Sequence, residues 1–258
     1  MPNPEKVRGK GMKQLIFLDT ETTGIEVLKD RLCQICYKTS EGFFTEYFKP
    51  PVPMSIKSMS ITNITNKMLQ DKKPFKGSAM SKDLQKLLSG EILVSHNAKF
   101  DIAMLEAEGL TIPRSICTLR IARYLDPNNV IPEYNLPFLR YYYELEVTDA
   151  PAHDAEGDVK VLCAVFDKLF LKMKEEVGGS AVVKTMADKD DEVINKMVEI
   201  SSKPSLYKIF PFGKYKDKKI EEVVKSDRRY MEWMLNQKMT DGGQDEDWIY
   251  TLEYYLKN

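Results

Sequence analysis

The sequence predicts an α/β fold, a sheet flanked by helices, followed by a smaller C-terminal module. Three observations predict it. Leu15-Ile16-Phe17-Leu18 is a short unbroken apolar run, as a strand buried on both faces requires. Strand-like segments then alternate with helical periodicity through Phe170. After Pro204 the composition shifts to aromatics interleaved with lysines. The 258 residues suffice for one large or two smaller domains with a substantial core.

Residues 1–13 read as a mobile leader. The first strand runs into Asp19-Thr20-Glu21-Thr22-Thr23-Gly24. Side chains alternate along a strand, so Asp19 and Glu21 share a face, about 6–7 Å apart. Two such carboxylates repel each other, and burying them without a counter-charge is costly. An oxygen-only donor pair suits a hard cation, Mg²⁺ or Mn²⁺; the alternative is a solvated pair at a strand-to-turn transition. Thr22-Thr23-Gly24 supplies a tight turn that brings backbone N–H groups near a ligand.

Segments 31–38 and 42–48, joined by Thr39-Ser40-Glu41-Gly42, predict an antiparallel meander, which Pro50, Pro51 and Pro53 end. Short helices are expected near 63–69 and 81–88. Ile92-Leu93-Val94-Ser95 is the next strand, leading through His96 and Asn97 into a helix that stops at Gly109. With Asn97 as N-cap, Asp101 falls in the first turns, beside a strand end. His96 is expected to be structural. Helical pieces follow at 118–125 and 135–143. A long helix then opens at Asp154, with Val161, Leu162, Val165, Phe166, Leu169 and Phe170 at spacings of three and four. That start places His153 on the preceding loop and Asp158 on the second turn. Gly178-Gly179 marks the end of the first domain. The expected division is a leader over 1–13, a domain over 14–178, a linker with a helix over 179–203 and a module over 204–258.

A net charge of −1 gives no overall pull toward nucleic acid, so any such attraction is local. No apolar run approaches membrane-spanning length and the N-terminus carries no signal-peptide core, so a cytoplasmic protein is expected. Cys33 and Cys36 have CxxC spacing but sit on a predicted strand, where residues three apart face opposite ways. They are expected to be buried thiols rather than a redox pair or zinc site.

Asp19, Glu21, Asp101 and Asp158 therefore stand at element ends, with His153 close to the last. Each alone can be a solvated charge. Together, four carboxylates can hold two divalent ions about 3.5–4 Å apart, an arrangement suited to in-line phosphoryl displacement. His153, with a reference pKa near 6.5, suits the task of taking a proton from the attacking water.

In order and spacing, DTETTG at 19–24, HNAKFD at 96–101 and HDAEGD at 153–158 resemble the three motifs of the DEDDh 3′→5′ exonuclease superfamily. Ile61-Thr62-Asn63-Ile64-Thr65, Cys117-Thr118-Leu119-Arg120 and Asn135-Leu136-Pro137 agree with it too, over roughly residues 14–173. The resemblance implies a ribonuclease-H-like fold with a mixed five-stranded sheet, and hydrolysis at nucleic-acid 3′ ends to release 5′-mononucleotides. It implies that Asp19, Glu21 and Asp158 hold one metal ion, that Asp19 bridges to a second supported by Asp101, and that His153 is the general base. It places the backbone of Thr22 and Thr23 at the terminal nucleotide, with Ile25 as an apolar wedge under its base. The histidine that precedes the Ile-Thr motif in many relatives is matched here by Ser60.

The C-terminal FGKYKDKKIEEV resembles a module appended to exodeoxyribonuclease X-like proteins, with Asp217 where that pattern has a second glycine. Lys214, Tyr215 and Lys216 can contact phosphates and stack on bases, or belong to a folded cap whose aromatics are core. The expected activity is a Mg²⁺- or Mn²⁺-dependent exodeoxyribonuclease acting in DNA repair or end processing. The alternatives are a 3′→5′ exoribonuclease of the same superfamily and a non-catalytic nucleic-acid-binding module.

Overall fold

A computed structural model describes residues 14–150, 155–177, 186–240 and 245–257. The sheet has five strands: β1 (Leu15–Thr22), β2 (Leu32–Thr39), β3 (Gly42–Tyr47), β4 (Ile92–Ser95) and β5 (Ser115–Cys117). Their spatial order is β3-β2-β1-β4-β5. The first three form the expected antiparallel meander, and β4 and β5 add in parallel, so the sheet is mixed. β1 is central, and its side-chain alternation divides the core in two. Leu15 and Phe17 face one layer of helices, while Ile16 and Leu18 face the other.

The first layer contains α5 (Thr118–Tyr124), α6 (Leu136–Tyr142), α7 (Ala155–Val177) and α8 (Met186–Ser201). α7 lies along the sheet through the stripe predicted for it, with Val161, Leu162, Val165, Phe166 and Leu169 buried. Phe166 meets Phe17 edge to face at 5.2 Å between centroids. The opposite layer contains α3 (Ala79–Leu88) and α4 (Ala98–Ala107), packed through Leu84, Leu88, Met104 and Leu105. The short helix expected near 63–69 is α2 (Asn66–Leu69), and an unexpected α1 (Ile56–Thr62) precedes it. Ser55 caps α1, Asn63 ends it in a left-handed turn (φ 59°), and Thr65 caps α2.

α8 lies in the stretch expected to contain the linker. Its Val193 and Met197 are fully buried in the same cluster as α7, so this helix completes the first layer. The C-terminal part folds α9 (Ile220–Ser226), α10 (Arg228–Thr240) and α11 (Glu246–Lys257) around Phe210, Met231, Trp248 and Leu252. The position of the missing glycine, Asp217, adopts φ +65°, and its N–H donates to Phe210 O at 2.8 Å. The tight turn is thus kept with an aspartate in a conformation that glycine adopts more cheaply.

Charge joins the two parts. The guanidinium of Arg120 meets Glu246 and Asp247, and Arg123 pairs with Asp247 at 2.8 Å. Lys99 pairs with Glu246 at 2.9 Å. No helix among the described residues is long and apolar enough to cross a membrane.

Candidate active site and metal centre

β1 ends where its partners still pair with it, so Asp19 and Glu21 are held by ladder hydrogen bonds opposite Cys36 and Gln34 of β2. Both side chains lie on the Leu15–Phe17 face, the face that α7 covers. α7 enters there with Asp158 in its first turn. Gly157 beside it is buried, and the absence of a side chain there suits the close packing of helix on sheet. Asp19, Glu21 and Asp158 each present an oxygen to a common point, all within 4.8 Å of one another, and all three are half-buried. Three carboxylate oxygens at this spacing fit a hard divalent cation, since no sulfur or nitrogen donor stands among them.

Asp101 is brought to the same end of β1 but to its other face. Thr20 Oγ1 donates to Asp101 Oδ1 at 2.8 Å, and Ser95 Oγ donates to Oδ2 at 2.5 Å. The side chain is 3% exposed, and burial pushes its carboxyl up to about 6 against the pull of the two hydroxyl donors. Asp101 is therefore not one of the three clustered oxygens; Thr20, which lies between Asp19 and Glu21 on β1, holds it. His153 and its neighbour Asp154 lie outside the described residues.

The turn after β1 is fixed from several sides. Thr23 is fully buried. Its hydroxyl donates to Asp30 Oδ1 at 2.8 Å and its N–H to Arg31 O at 3.0 Å. Its carbonyl accepts from Ser55 N (3.2 Å) and Ser58 Oγ (2.9 Å), which ties α1 to the turn. Thr22 Oγ1 donates to Gly24 O at 2.6 Å. Ile25 follows at 79% exposure, an apolar side chain left in solvent just after the turn.

Asn97 stands at the N-cap of α4 as the sequence suggests, but in the left-handed conformation (φ 61°) and without a side-chain cap bond. Next to it His96 Nδ1 lies 2.9 Å from Thr118 Oγ1. Burial holds this imidazole down at about 4, so it is neutral near pH 7. Cys33 and Cys36 are buried in different clusters on opposite faces of β2, and burial pushes the Cys33 thiol up to about 12. Neither is a ligand pair.

In the C-terminal part, Tyr215 donates its hydroxyl to Asp227 Oδ2 at 2.6 Å and packs on Phe210 and Tyr230. Lys214 pairs with the same carboxylate at 3.2 Å and lies over the Tyr215 ring. Lys216 is exposed. Sequence reasoning did not single out Thr20 and Ser95, the hydroxyls that hold Asp101. The alternation it used for Asp19 and Glu21 already placed Thr20 on the other face.

The family model described as exonuclease matches residues 16–166, and one described as exodeoxyribonuclease X-like C-terminal matches 210–238. Exodeoxyribonuclease 10 of Escherichia coli K12 is 28% identical over 250 residues, spanning 95% of this chain and 99% of that protein. DNA polymerase III subunit epsilon of Rickettsia prowazekii is 28% identical over 201 residues, 71% of this chain and 82% of the relative. Among solved structures, exonuclease X in complex with 5′-overhanging duplex DNA aligns with a TM-score of 0.53 at 24% identity, over 72% of this chain and 99% of that one. Exonuclease I aligns with a TM-score of 0.51 at 19% identity, over 67% and 46%. At these identities the structural likeness speaks to the fold, a ribonuclease-H-like one.

Proposed function

This chain belongs to the exonuclease family, and from that premise we propose that it is a metal-dependent 3′→5′ exodeoxyribonuclease that releases 5′-mononucleotides from DNA 3′ ends. DNA repair or end processing is the setting that such a reaction fits. The observation that carries the reading is the convergence of Asp19, Glu21 and Asp158 within 4.8 Å at the end of the central strand. The 28% identity to exodeoxyribonuclease 10 over nearly the whole chain supports DNA as the substrate.

In this reading Asp19, Glu21 and Asp158 would hold Mg²⁺ or Mn²⁺, and Asp19 with Asp101, directly or through water, would support a second ion. Such ions, when bound, lower the pKa of water and neutralise charge on the leaving oxygen. The rest belongs to the chain's own residues. His153 takes the proton from the attacking water, a task its ordinary pKa near 6.5 suits. Thr22 and Thr23 position the terminal nucleotide, Thr23 by holding the turn rigid. Ile25 lies under the terminal base. Lys216, with Lys214 and Tyr215, offers contacts to the strand further on. The unit over 14–178 performs the chemistry with α8, from the linking segment 179–203, packed on it, and 204–258 is the appended module.

The test is hydrolysis of 5′-labelled DNA and RNA oligonucleotides of one sequence, with Mg²⁺, Mn²⁺ or EDTA. Shortening of DNA from the 3′ end, abolished by EDTA, is expected. Preferential loss of RNA would move the substrate class, and persistent binding without turnover in Mn²⁺ would refute catalysis.

A further inference from the structure

At the seam between the sheet-bearing part and the C-terminal part, α5, α8, residues 204–209 and Tyr250 enclose a cavity of about 390 Å³. Five cationic side chains line it, Arg120, Arg123, Lys196, Lys203 and Lys208, against two carboxylates, Asp126 and Glu199. Glu246 and Asp247 pair with Arg120 and Arg123 from outside the lining, which leaves one positive charge in excess on a chain whose net charge is −1. The two lining carboxylates are hydrogen-bonded as well. Asp126 accepts from the N–H groups of Val130 and Ile131 and from the Tyr134 hydroxyl, at 2.7–2.9 Å. Glu199 accepts from Lys196 at 3.0 Å and Lys203 at 2.8 Å.

Four tyrosines, Tyr124, Tyr134, Tyr207 and Tyr250, share the rest of the wall with aliphatic and small polar residues. The Arg123 guanidinium lies 5.0 Å from the Tyr207 ring centre and 5.8 Å from that of Tyr134. One of its nitrogens pairs with Asp247, but its Nε is buried and meets no acceptor among the described residues. A buried donor without an acceptor is rare in native interiors. Tyr124 and Tyr250 add partly exposed rings to the same wall.

We propose that this cavity is a nucleotide-binding site separate from the carboxylate cluster, with the phosphate held by Arg123 and the lysines and the base against the tyrosines. Cations and ring faces together match a phosphate joined to a nucleobase, and ring stacking tolerates any base. The volume lies at the low end for ligand pockets, enough for one nucleotide and too little for a duplex. The occupant is a free nucleoside monophosphate or one residue of a single strand. The site goes beyond the proposed hydrolysis and does not depend on it, because the carboxylate cluster repels phosphate when metal is absent while this cavity does not.

The experiment is calorimetric titration of the full chain in EDTA with dAMP, with a short single-stranded DNA oligonucleotide and with inorganic phosphate. Saturable binding of dAMP or the oligonucleotide is expected, at least about tenfold tighter than phosphate, weakening as salt rises. Affinity should fall at least about tenfold in Lys203→Glu/Lys208→Glu, two exposed positions that tolerate the change, and in Tyr250→Ala. Lys82→Glu, an exposed lysine on α3, should leave it intact. A tighter oligonucleotide assigns the site to the strand, and a tighter dAMP to the free nucleotide. No saturable binding of either, phosphate binding as tightly as dAMP, or indifference to the cavity variants would overturn the proposal.

Discussion

Asp101 accepts hydrogen bonds from Thr20 and Ser95, yet burial still raises its carboxyl to about 6. In the unfolded chain the same group has an ordinary value of 3.8. The folded state therefore holds a proton that the unfolded state has released between those values. This contribution to stability is full below about pH 4 and is lost as pH rises through about 6. Asp101→Asn removes the buried charge. In EDTA at pH 8 it should stabilise the protein by ~1–3 kcal/mol, and by little at pH 4.5, as read by urea unfolding. Equal effects at both pH values would show that the carboxylate is not strained by burial. Asp19→Ala should abolish metal-dependent hydrolysis, because its oxygen sits in the one three-carboxylate group found among the described residues. His153→Ala should lower the rate by ~10²–10⁴ while metal binding persists, and a flat rate from pH 6 to 9 in the parent protein would remove it as the base.

The two tight turns make opposite predictions at the level of elements. At Gly24 a Cβ would run into the Asp30 carboxylate, which Thr23 Oγ1 and Glu26 N both hold. Gly24→Ala should cost ~1–3 kcal/mol and slow hydrolysis, since the turn carrying Thr22 and Thr23 must shift. Asp217 already has positive φ, so Asp217→Gly should stabilise the C-terminal part by ~0.5–1 kcal/mol in thermal unfolding. Elements with strong periodicity were legible in the sequence: β1 from its apolar run, α7 from its stripe, and the meander from its turn residues. β5 was not, because three residues are too few to show alternation, and its pairing with β4 is set by the sheet. α11 escaped notice because its acidic start and paired tyrosines hide the buried positions Trp248, Thr251 and Leu252. Of the site, alternation on β1 and the opening of α7 gave Asp19, Glu21 and Asp158. Asp101 was legible too, in the first turn of α4 beside a strand end, but the two hydroxyls that hold it, far apart in the chain, were not.

For the whole molecule the question is where one folding unit ends and the next begins. Val193 and Met197 of α8 are buried against α7 and the sheet, so a chain ending at residue 179 should lose ~3–6 kcal/mol relative to one ending at 203, measured by urea unfolding. Equal stability of the two would mean that α8 is only an accessory. Beyond residue 203, among the described residues, the apolar cluster around Phe210 and Trp248 is separate from those around the sheet. What spans the gap among the described residues includes Arg120, Arg123 and Lys99 set against Glu246 and Asp247, with Tyr207 stacked on Arg123. Ion pairs across such a joint weaken as salt rises, so if the halves swing apart at all, brine should favour the parted form over the docked one.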